Sequence, residues 1–507
     1  MKKNRKLSAG AFLVLIIIIA AALGLFSCRS ERKDEVRIDR IILVILDTLR
    51  ADHLGCYGYP RETSPFIDTL ASGGCIFTQA YAPMPSTVPS HASIFTSYYP
   101  RQLNVLKNGH LLADEFVTLA EVCRGAGYPT AAVVSVDHLF DQANLNQGFD
   151  YYDQPDLPPD VLYRPADQVV DATISWLDTV SPESRFFLWV HFYDPHAPYQ
   201  PPDNYLKMFR SSSEEKRTAF VEYLKKKRNI DPEFFAGLPY RLVDETIDLD
   251  HYEEKDADGV ETMLRFINAY DGEVRFADRE LKRLYEYFLE KGLNRNCLWV
   301  IASDHGEGLG NHNWIDHGKY LFNELIRVAL IFYSADSLPA GRVSAQVVNL
   351  VDVLPTLVDL APIENPAGPR PEESAGISLA PLLTPIGGEA IAGKAANGFA
   401  FAQRRQYKQP DPDDLVSPHH GYEGDSYSLQ SARYKYILNT AREDEFYDLE
   451  RDPGELENYI GRGGEAEVFI RMNLLEKLKS LKSLVPGPPR SAGRKSRDKL
   501  KALGYFQ

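Results

Sequence analysis

Six consecutive apolar residues, Ile41 to Leu46, run directly into an aspartate, Asp47. A strand that is apolar at every position is buried on both faces, as in a parallel sheet covered by helices. Four later stretches repeat the pattern: Thr130 to Val136, Phe186 to Phe192, Leu298 to Ala302 and Val328 to Phe332. Helical periodicity lies between them, at Phe66 to Ser72, Leu119 to Ala126 and Asp271 to Lys291. Strands alternating with helices predict an α/β fold with a mainly parallel sheet. Ligands of such sheets bind beyond the carboxyl ends of the strands. Asp47, the segment His191 to His196, and Asp304-His305 each follow an apolar run, so they are expected at that edge.

The chain has 507 residues, enough for roughly two to four domains or one large α/β domain with an addition. Its formal net charge of −15 disfavours nucleic acid as a partner, because neutralising phosphates needs basic surface. Five cysteines exclude a disulfide-built scaffold. Cys56, Cys75, Cys123 and Cys297 show no CxxC or Cys/His metal spacing and are expected as buried thiols, or as one opportunistic disulfide.

At the N-terminus, Lys2, Lys3, Arg5 and Lys6 precede an apolar run from Ala9 to Phe26, followed by Ser27-Cys28. A small residue before a Cys in this setting resembles a bacterial lipobox, with Cys28 as the lipidated terminus. An uncleaved single-span anchor is the other reading, since the run is just long enough to cross a bilayer. Residues 1–28 are thus a signal peptide with lipobox or a membrane anchor. The rest is expected to be exported to the cell envelope, periplasmic or outer face, and held at the membrane by lipid or by one span.

Further along, residues 212–262 are rich in Lys, Glu and Asp and read as a solvated helical insertion or a substrate-gating lid. Residues 363–374 and 384–398 are Pro/Gly/Ala-rich and read as a loop and a linker. Short strands are expected at Arg433 to Ile437 and Glu445 to Tyr447, with a helix near 464–482. Together they predict a small C-terminal α+β subdomain over 398–507. Its basic tail, Arg490 to Lys501, is a solvated extension or a contact for anionic lipid.

Two carboxylates and an imidazole at one sheet edge, Asp47, Asp304 and His305, suit a divalent metal. Thr87-Val88-Pro89-Ser90-His91 adds a hydroxyl just before an apolar helical stretch, Ala92 to Thr96. A hydroxyl at a helix N-terminus beside a metal can be an activated nucleophile, and the same N-terminus favours the anionic group under attack. Ser86 is the neighbouring alternative. Cys56 and Cys75 are not at that position, and His312 reads as a loop residue.

These segments resemble the sulfatase family of the alkaline phosphatase superfamily. The resemblance rests on Leu46-Asp47-Thr48-Leu49-Arg50-Ala51-Asp52-His53-Leu54-Gly55-Cys56-Tyr57-Gly58, on Thr87-x-Pro89-Ser90-His91, and on His191-x-x-Asp194-Pro195-His196. It continues through Tyr270-Asp271-Gly272-Glu273, Ser303-Asp304-His305-Gly306-Glu307, His317-Gly318, Asp352 and Tyr447-Asp448-Leu449 to Lys501-Ala-Leu-Gly-Tyr505. It implies an alkaline-phosphatase-like α/β fold with the catalytic domain over 39–385. It also implies Asp47, Thr87, Asp304 and His305 at the metal, with Thr87 as nucleophile. His196 and His317 would contact the transferred group or protonate the leaving oxygen, and His91 stands where sulfatases place a supporting Arg. His191 and Asp194 are rivals for those roles, or ligands of a second metal.

The departures from the pattern sharpen the expectation. Sulfatases carry a Cys or Ser that is oxidised to formylglycine; Thr87 is not a substrate for that conversion. Thr48 replaces a second metal Asp, and His305 replaces an Asn or Gln, which softens the donor set from Ca²⁺ toward Zn²⁺ or Mn²⁺. The usual Lys and His of a further loop are not evident at Ser135 to His138. The expected activity is metal-dependent hydrolysis of a sulfate, phosphate or phosphonate ester on a small molecule, glycan or lipid. A Thr nucleophile tilts it toward phosphorus. The alternatives are a transferase of phosphoethanolamine or phosphoglycerol groups in the envelope, and an inactive binding protein that keeps the fold.

Overall fold

In the computed structural model, nine strands form the large sheet: β1 (Arg40–Leu46), β2 (Cys75–Tyr81), β3 (Thr130–Val134), β4 (Tyr151–Asp153), β5 (Phe186–Phe192), β6 (Cys297–Ser303), β7 (Arg327–Val328), β8 (Leu330–Tyr333) and β9 (Arg342–Asn349). The structure describes residues 37–491 apart from 137–139, 159–160, 162, 211–212, 248, 250–256, 362, 364–373, 385–397, 407–423 and 486. The N-terminal address with Cys28, Asp137 and His138, most of the two Pro/Gly/Ala-rich stretches, and the tail beyond Ser491 lie outside the described residues. None of the described helices is long and apolar enough to cross a membrane.

β1 is the middle of the parallel part. It pairs with β5 on one side and β6 on the other; β3 and β4 extend the β5 side in the same direction. All seven residues of each of β1, β5 and β6 are buried, as their unbroken apolar pattern requires. The run Val328 to Phe332 is divided: Ala329 separates β7 from β8. Both lie antiparallel to β2, and β8 is also antiparallel to β6. An apolar run reports burial and is silent on direction, so this reversal was not legible.

Helices flank the sheet: α1 (Pro65–Gly73), α2 (Thr87–Thr96), α3 (Ala166–Leu177), α4 (Asp203–Phe209), α5 (Glu214–Lys227), α6 (Pro232–Ala236), α7 (Tyr240–Ile247) and α8 (Gly259–Glu290). The helix expected at Asp271 to Lys291 begins at Gly259, capped by Asp258, whose carboxylate accepts the Glu261 N–H. Its apolar face, including Phe266, Tyr270, Ala277 and Leu284, joins β1, β5 and β6 in one core. The Lys/Glu-rich stretch is helical, as α5 to α7. It also contributes Leu224, Phe235 and Val243 to that core, so it is packed rather than merely solvated.

A second, four-stranded antiparallel sheet runs β10 (Ala400–Arg404), β11 (Ser426–Gln430), β12 (Tyr434–Asn439), β13 (Glu445–Asp448). After α9 (Val353–Leu360), helix α10 (Gly464–Ser480) covers this sheet through Ile470 and Leu474 against Leu429, Tyr436 and Phe446. The sheet also meets loops of the large sheet, where Ile437 of β12 and Tyr447 of β13 cluster with Trp314, Tyr320 and Phe322. The four cysteines at 56, 75, 123 and 297 are free thiols, so the disulfide alternative is not realised.

Candidate active site

The register sets the site. Leu46 of β1 lies opposite Phe192 of β5 and Ser303 of β6, so all three strands end level and Asp47 and Asp304 emerge side by side. Ligand atoms of Asp47, Asp304 and His305 all lie within 4.8 Å of one another, and all three residues are fully buried. Thr87 joins them at the first turn of α2, its Oγ1 3.4 Å from His305 Nε2. Helix α2 is fixed by two contacts. Ser90 donates to the Asp304 carbonyl (2.7 Å), and Asn108 Oδ1 accepts the Val88 N–H (2.8 Å). The helix starts at Thr87, five residues before the stretch read from the sequence, because Ser86 is extended and Pro89 is tolerated in the first turn.

Both oxygens of Asp47 and Oδ2 of Asp304 are buried with no hydrogen-bond donor. Asp304 Oδ1 accepts the amides of Thr48 (3.2 Å) and His305 (2.8 Å). His305 Nδ1 lies 3.0 Å from the Gly306 carbonyl, which assigns the proton to Nδ1 and leaves Nε2 as a lone-pair donor. Two buried carboxylates with unpaired oxygens are costly unless a cation compensates them. Burial pushes the Asp47 carboxyl up to about 8, with Glu307 adding to the rise and His317 opposing it. Burial, then the Asp47 charge, raises Asp304 as well. The sulfatase family generally uses a divalent metal, and this set of acidic and imidazole groups fits one.

The backbone at Thr48 is unusual. This buried β-branched residue holds a φ of 53°, the left-handed region, where it turns its N–H onto Asp304. Tyr270 braces the same turn, accepting the Arg50 N–H and donating to the Thr48 carbonyl, each at 2.8 Å.

Four histidines surround this cluster. His317 lies tilted against His305, with ring centroids 4.6 Å apart, and His196 meets His317 edge-on at 5.0 Å. His317 Nδ1 lies 3.4 Å from both Glu307 oxygens and 3.3 Å from Asp316. Burial opposes its charge, but Glu307 and Asp316 overcome that and carry the imidazolium up to about 10. His196, by contrast, is held well below its ordinary value, by burial first and by His317 second. His91 reaches the Thr87 carbonyl (Nδ1, 2.8 Å) and Asp304 Oδ2 (3.6 Å), so it touches the nucleophile position's backbone rather than its hydroxyl.

His191 lies buried beneath the cluster, its Nε2 3.6 Å from Asp47 Oδ2. Asp194 is displaced from the cluster and pairs with Glu273; burial pushes Asp194 up to about 7 against the lowering effect of its hydrogen bond with Glu273, while burial and then Asp194 raise Glu273. His312 is no ligand. It bonds Glu324 through Nδ1 (2.5 Å) and the Glu455 carbonyl through Nε2 (3.1 Å). Glu307 and Asp316, the partners of His317, were given no role from the sequence. Only Glu307's place after Asp304-His305 hinted at one.

The sulfatase family model matches residues 39–363, and the model described as N-sulphoglucosamine sulphohydrolase, C-terminal, matches 310–483. An N-acetylglucosamine-6-O-sulfatase of Bacteroides thetaiotaomicron is 24% identical over 89% of this chain and 88% of its own. An arylsulfatase of Clostridium perfringens is 24% identical over 86% of this chain and 93% of its own. Among solved structures, one in complex with its substrate D-glucosamine-2-N,6-O-disulfate superposes with a TM-score of 0.68 at 22% identity, covering 88% of this chain and 98% of that one. A phosphonate monoester hydrolase of Agrobacterium radiobacter superposes with a TM-score of 0.65 at 21% identity, covering 87% and 95%. The chain belongs to the sulfatase family, in the alkaline-phosphatase-like superfamily, and is a hydrolase acting on sulfuric or phosphoric ester bonds.

Proposed function

We propose that this hydrolase cleaves its ester by in-line attack of Thr87 Oγ1, and that phosphate or phosphonate esters are better substrates than sulfates. The observation that carries the reading is the placement of a threonine hydroxyl, at a helix N-terminus, 3.4 Å from His305 Nε2 and beside the unpaired carboxylates. Asp47, Asp304, His305 and Thr87 would hold the metal, with Zn²⁺ or Mn²⁺ favoured over Ca²⁺ by the imidazole donor. A bound divalent ion would lower the hydroxyl's pKa and offset charge on the transferred group's oxygens.

The remaining steps belong to the chain's own groups. The α2 N-terminus orients the anionic centre. Thr87 Oγ1 gives up its proton to solvent and forms the new bond to phosphorus or sulfur as the ester oxygen departs. His317, which Glu307 and Asp316 hold as a proton carrier, gives its proton to that oxygen, with His196 beside it. Water then attacks the Thr87 ester, expelling the product anion and restoring the hydroxyl. A threonine ester cannot release sulfate by the elimination open to formylglycine, which is why phosphorus is preferred.

The natural substrate is read as an anionic glycan ester, since relatives include an N-acetylglucosamine-6-O-sulfatase and a Δ4,5-hexuronate-2-O-sulfatase. Export to the envelope, with anchoring through residues 1–28 as a lipoprotein or by a single span, belongs to the same proposal. The test is turnover of aryl sulfate, aryl phosphomonoester, aryl phosphodiester and phosphonate monoester side by side. Thr87→Ala is the blank, and Zn²⁺, Mn²⁺ and Ca²⁺ are compared. Phosphorus ester turnover that disappears in Thr87→Ala supports the reading. Faster Thr87-dependent sulfate turnover overturns the preference, and activity surviving in Thr87→Ala overturns the nucleophile.

A further inference from the structure

Away from the Thr87 site, residues Pro60 to Glu62 and helices α4 and α5 border an open cleft of about 860 Å³. None of its lining residues belongs to the cluster around Asp47. A smaller cavity of about 170 Å³ shares Arg61, Arg210, Lys216 and Phe220 with it, so the two form one extended cleft. Its charge runs against that of the molecule. The chain carries −15 overall, yet the larger cavity is lined by Arg61, Arg210, Lys216 and Arg275, with Glu62 as its one carboxylate; Arg61 pairs with Asp271 and Arg275 with Asp278, and the smaller part adds Arg217 and Glu261. Like charges gathered in a concave surface focus the field and concentrate counter-ions there.

Arg61 is the organising residue. Its Nη1 donates to Asn268 and Asp271, both at 2.8 Å, and its guanidinium stacks 3.3 Å over the Phe220 ring. Those contacts fix the plane of the fork while leaving Nε and Nη2 without a protein acceptor among the described residues. A planar fork held in place loses little entropy on taking a sulfate, phosphate or carboxylate group. Phe209, Phe220 and Tyr223 add flat apolar surface beside the cations. Cations interleaved with aromatic faces, in a cavity of drug-to-oligomer size, suit a ring with both a flat apolar face and an anionic substituent. Asp271, which holds Arg61, also takes His53 (2.8 Å) and Tyr59 (2.8 Å), all on the connection that starts at Asp47. The cleft is therefore tied rigidly to the segment that carries the metal-type carboxylate.

We propose that this cleft is a second binding site, which holds an anionic sugar residue of a polymeric substrate. The proposal rests on the glycan reading of the substrate. Its test separates the two, because it reads binding and not hydrolysis. The full chain carrying Thr87→Ala would be titrated with a fluorescein-labelled dextran sulfate oligomer at low salt, with unsulfated dextran of equal length as the blank. Anisotropy reports the affinity. Lys216→Glu, on an exposed side chain, is expected to weaken binding about fivefold or more, and Phe220→Ala to weaken it as well. Lys479→Glu, on α10, is expected to leave it within about twofold. In the Thr87 background, Lys216→Glu should leave turnover of a small aryl ester unchanged, which also reports an intact fold. Dextran sulfate binding that Lys216→Glu does not weaken, or that Lys479→Glu weakens equally, overturns the proposal. Binding to anionic phosphatidylglycerol vesicles in place of dextran sulfate also overturns it.

Discussion

His312 offers a prediction whose sign and size both follow from the structure. Its two ring nitrogens bond Glu324 and the Glu455 carbonyl, and its ring stacks on Phe322 with centroids 3.8 Å apart. It thereby joins the loop that carries Glu307 and His317 to the segment leading out of β13. Burial works against its charge, but Glu324 and Glu455 prevail and raise it from 6.5 to about 9. At ~1.4 kcal/mol per unit the rise is worth about 3 kcal/mol, and 16% exposure of the side chain trims this to about 2 kcal/mol. The folded-state value is the higher one, so the stabilisation is fully present below about 6.5 and is lost as pH rises through about 9. His312→Gln should therefore lower stability by about 2 kcal/mol at pH 6 and by well under 1 kcal/mol at pH 10. Urea unfolding of both proteins across that range measures the difference. A penalty that stays constant with pH, or grows toward pH 10, would refute the ion-pair reasoning.

Two further outcomes follow from buried charge. Lys435 and Glu455 form an ion pair at 2.6 Å with both side chains essentially inaccessible, so Lys435→Met should cost about 3–5 kcal/mol by stranding the carboxylate; urea melts would show it, and a loss below about 1 kcal/mol would mean Glu455 is neutral or hydrated. Stripping metal with a chelator should lower the melting temperature of the native protein, and adding Zn²⁺ or Mn²⁺ should restore it. Asp304→Asn should abolish that metal-dependent increment in differential scanning calorimetry, whereas an unchanged increment would move the metal elsewhere.

The parts of the fold that the sequence made legible are those in which local pattern and burial coincide. Ile41 to Leu46 and Phe186 to Phe192 are apolar throughout because both faces of β1 and β5 are covered, and Asp47 lies directly after the carboxyl end of β1. The cluster of Asp47, Thr87, Asp304 and His305 was legible for the same reason: each member sits at the end of a strand or the start of a helix with its own signal.

What stayed hidden depends on partners distant in sequence. Among the described residues β9 pairs only with β2, which also pairs with β7 and β8, and Thr78 and Gln79 interrupt the apolarity of β2. Glu307 and Asp316 acquire meaning only once the loop folds them against His317. Asp194 followed an apolar run like Asp47 did, yet it turns toward Glu273 on α8, a pairing that no local pattern could announce.

The central claim, that Thr87 carries the transferred group, is tested most directly by stopping the reaction with a phosphonate or phosphate aryl ester in acid within the first turnover and mapping the modified peptide by mass spectrometry. The account predicts a phosphoryl or phosphonyl adduct on Thr87 that disappears in Thr87→Ala, along with the release of phenol. An adduct on Ser86 or Ser90, or rapid phenol release with Thr87 never modified, would contradict it.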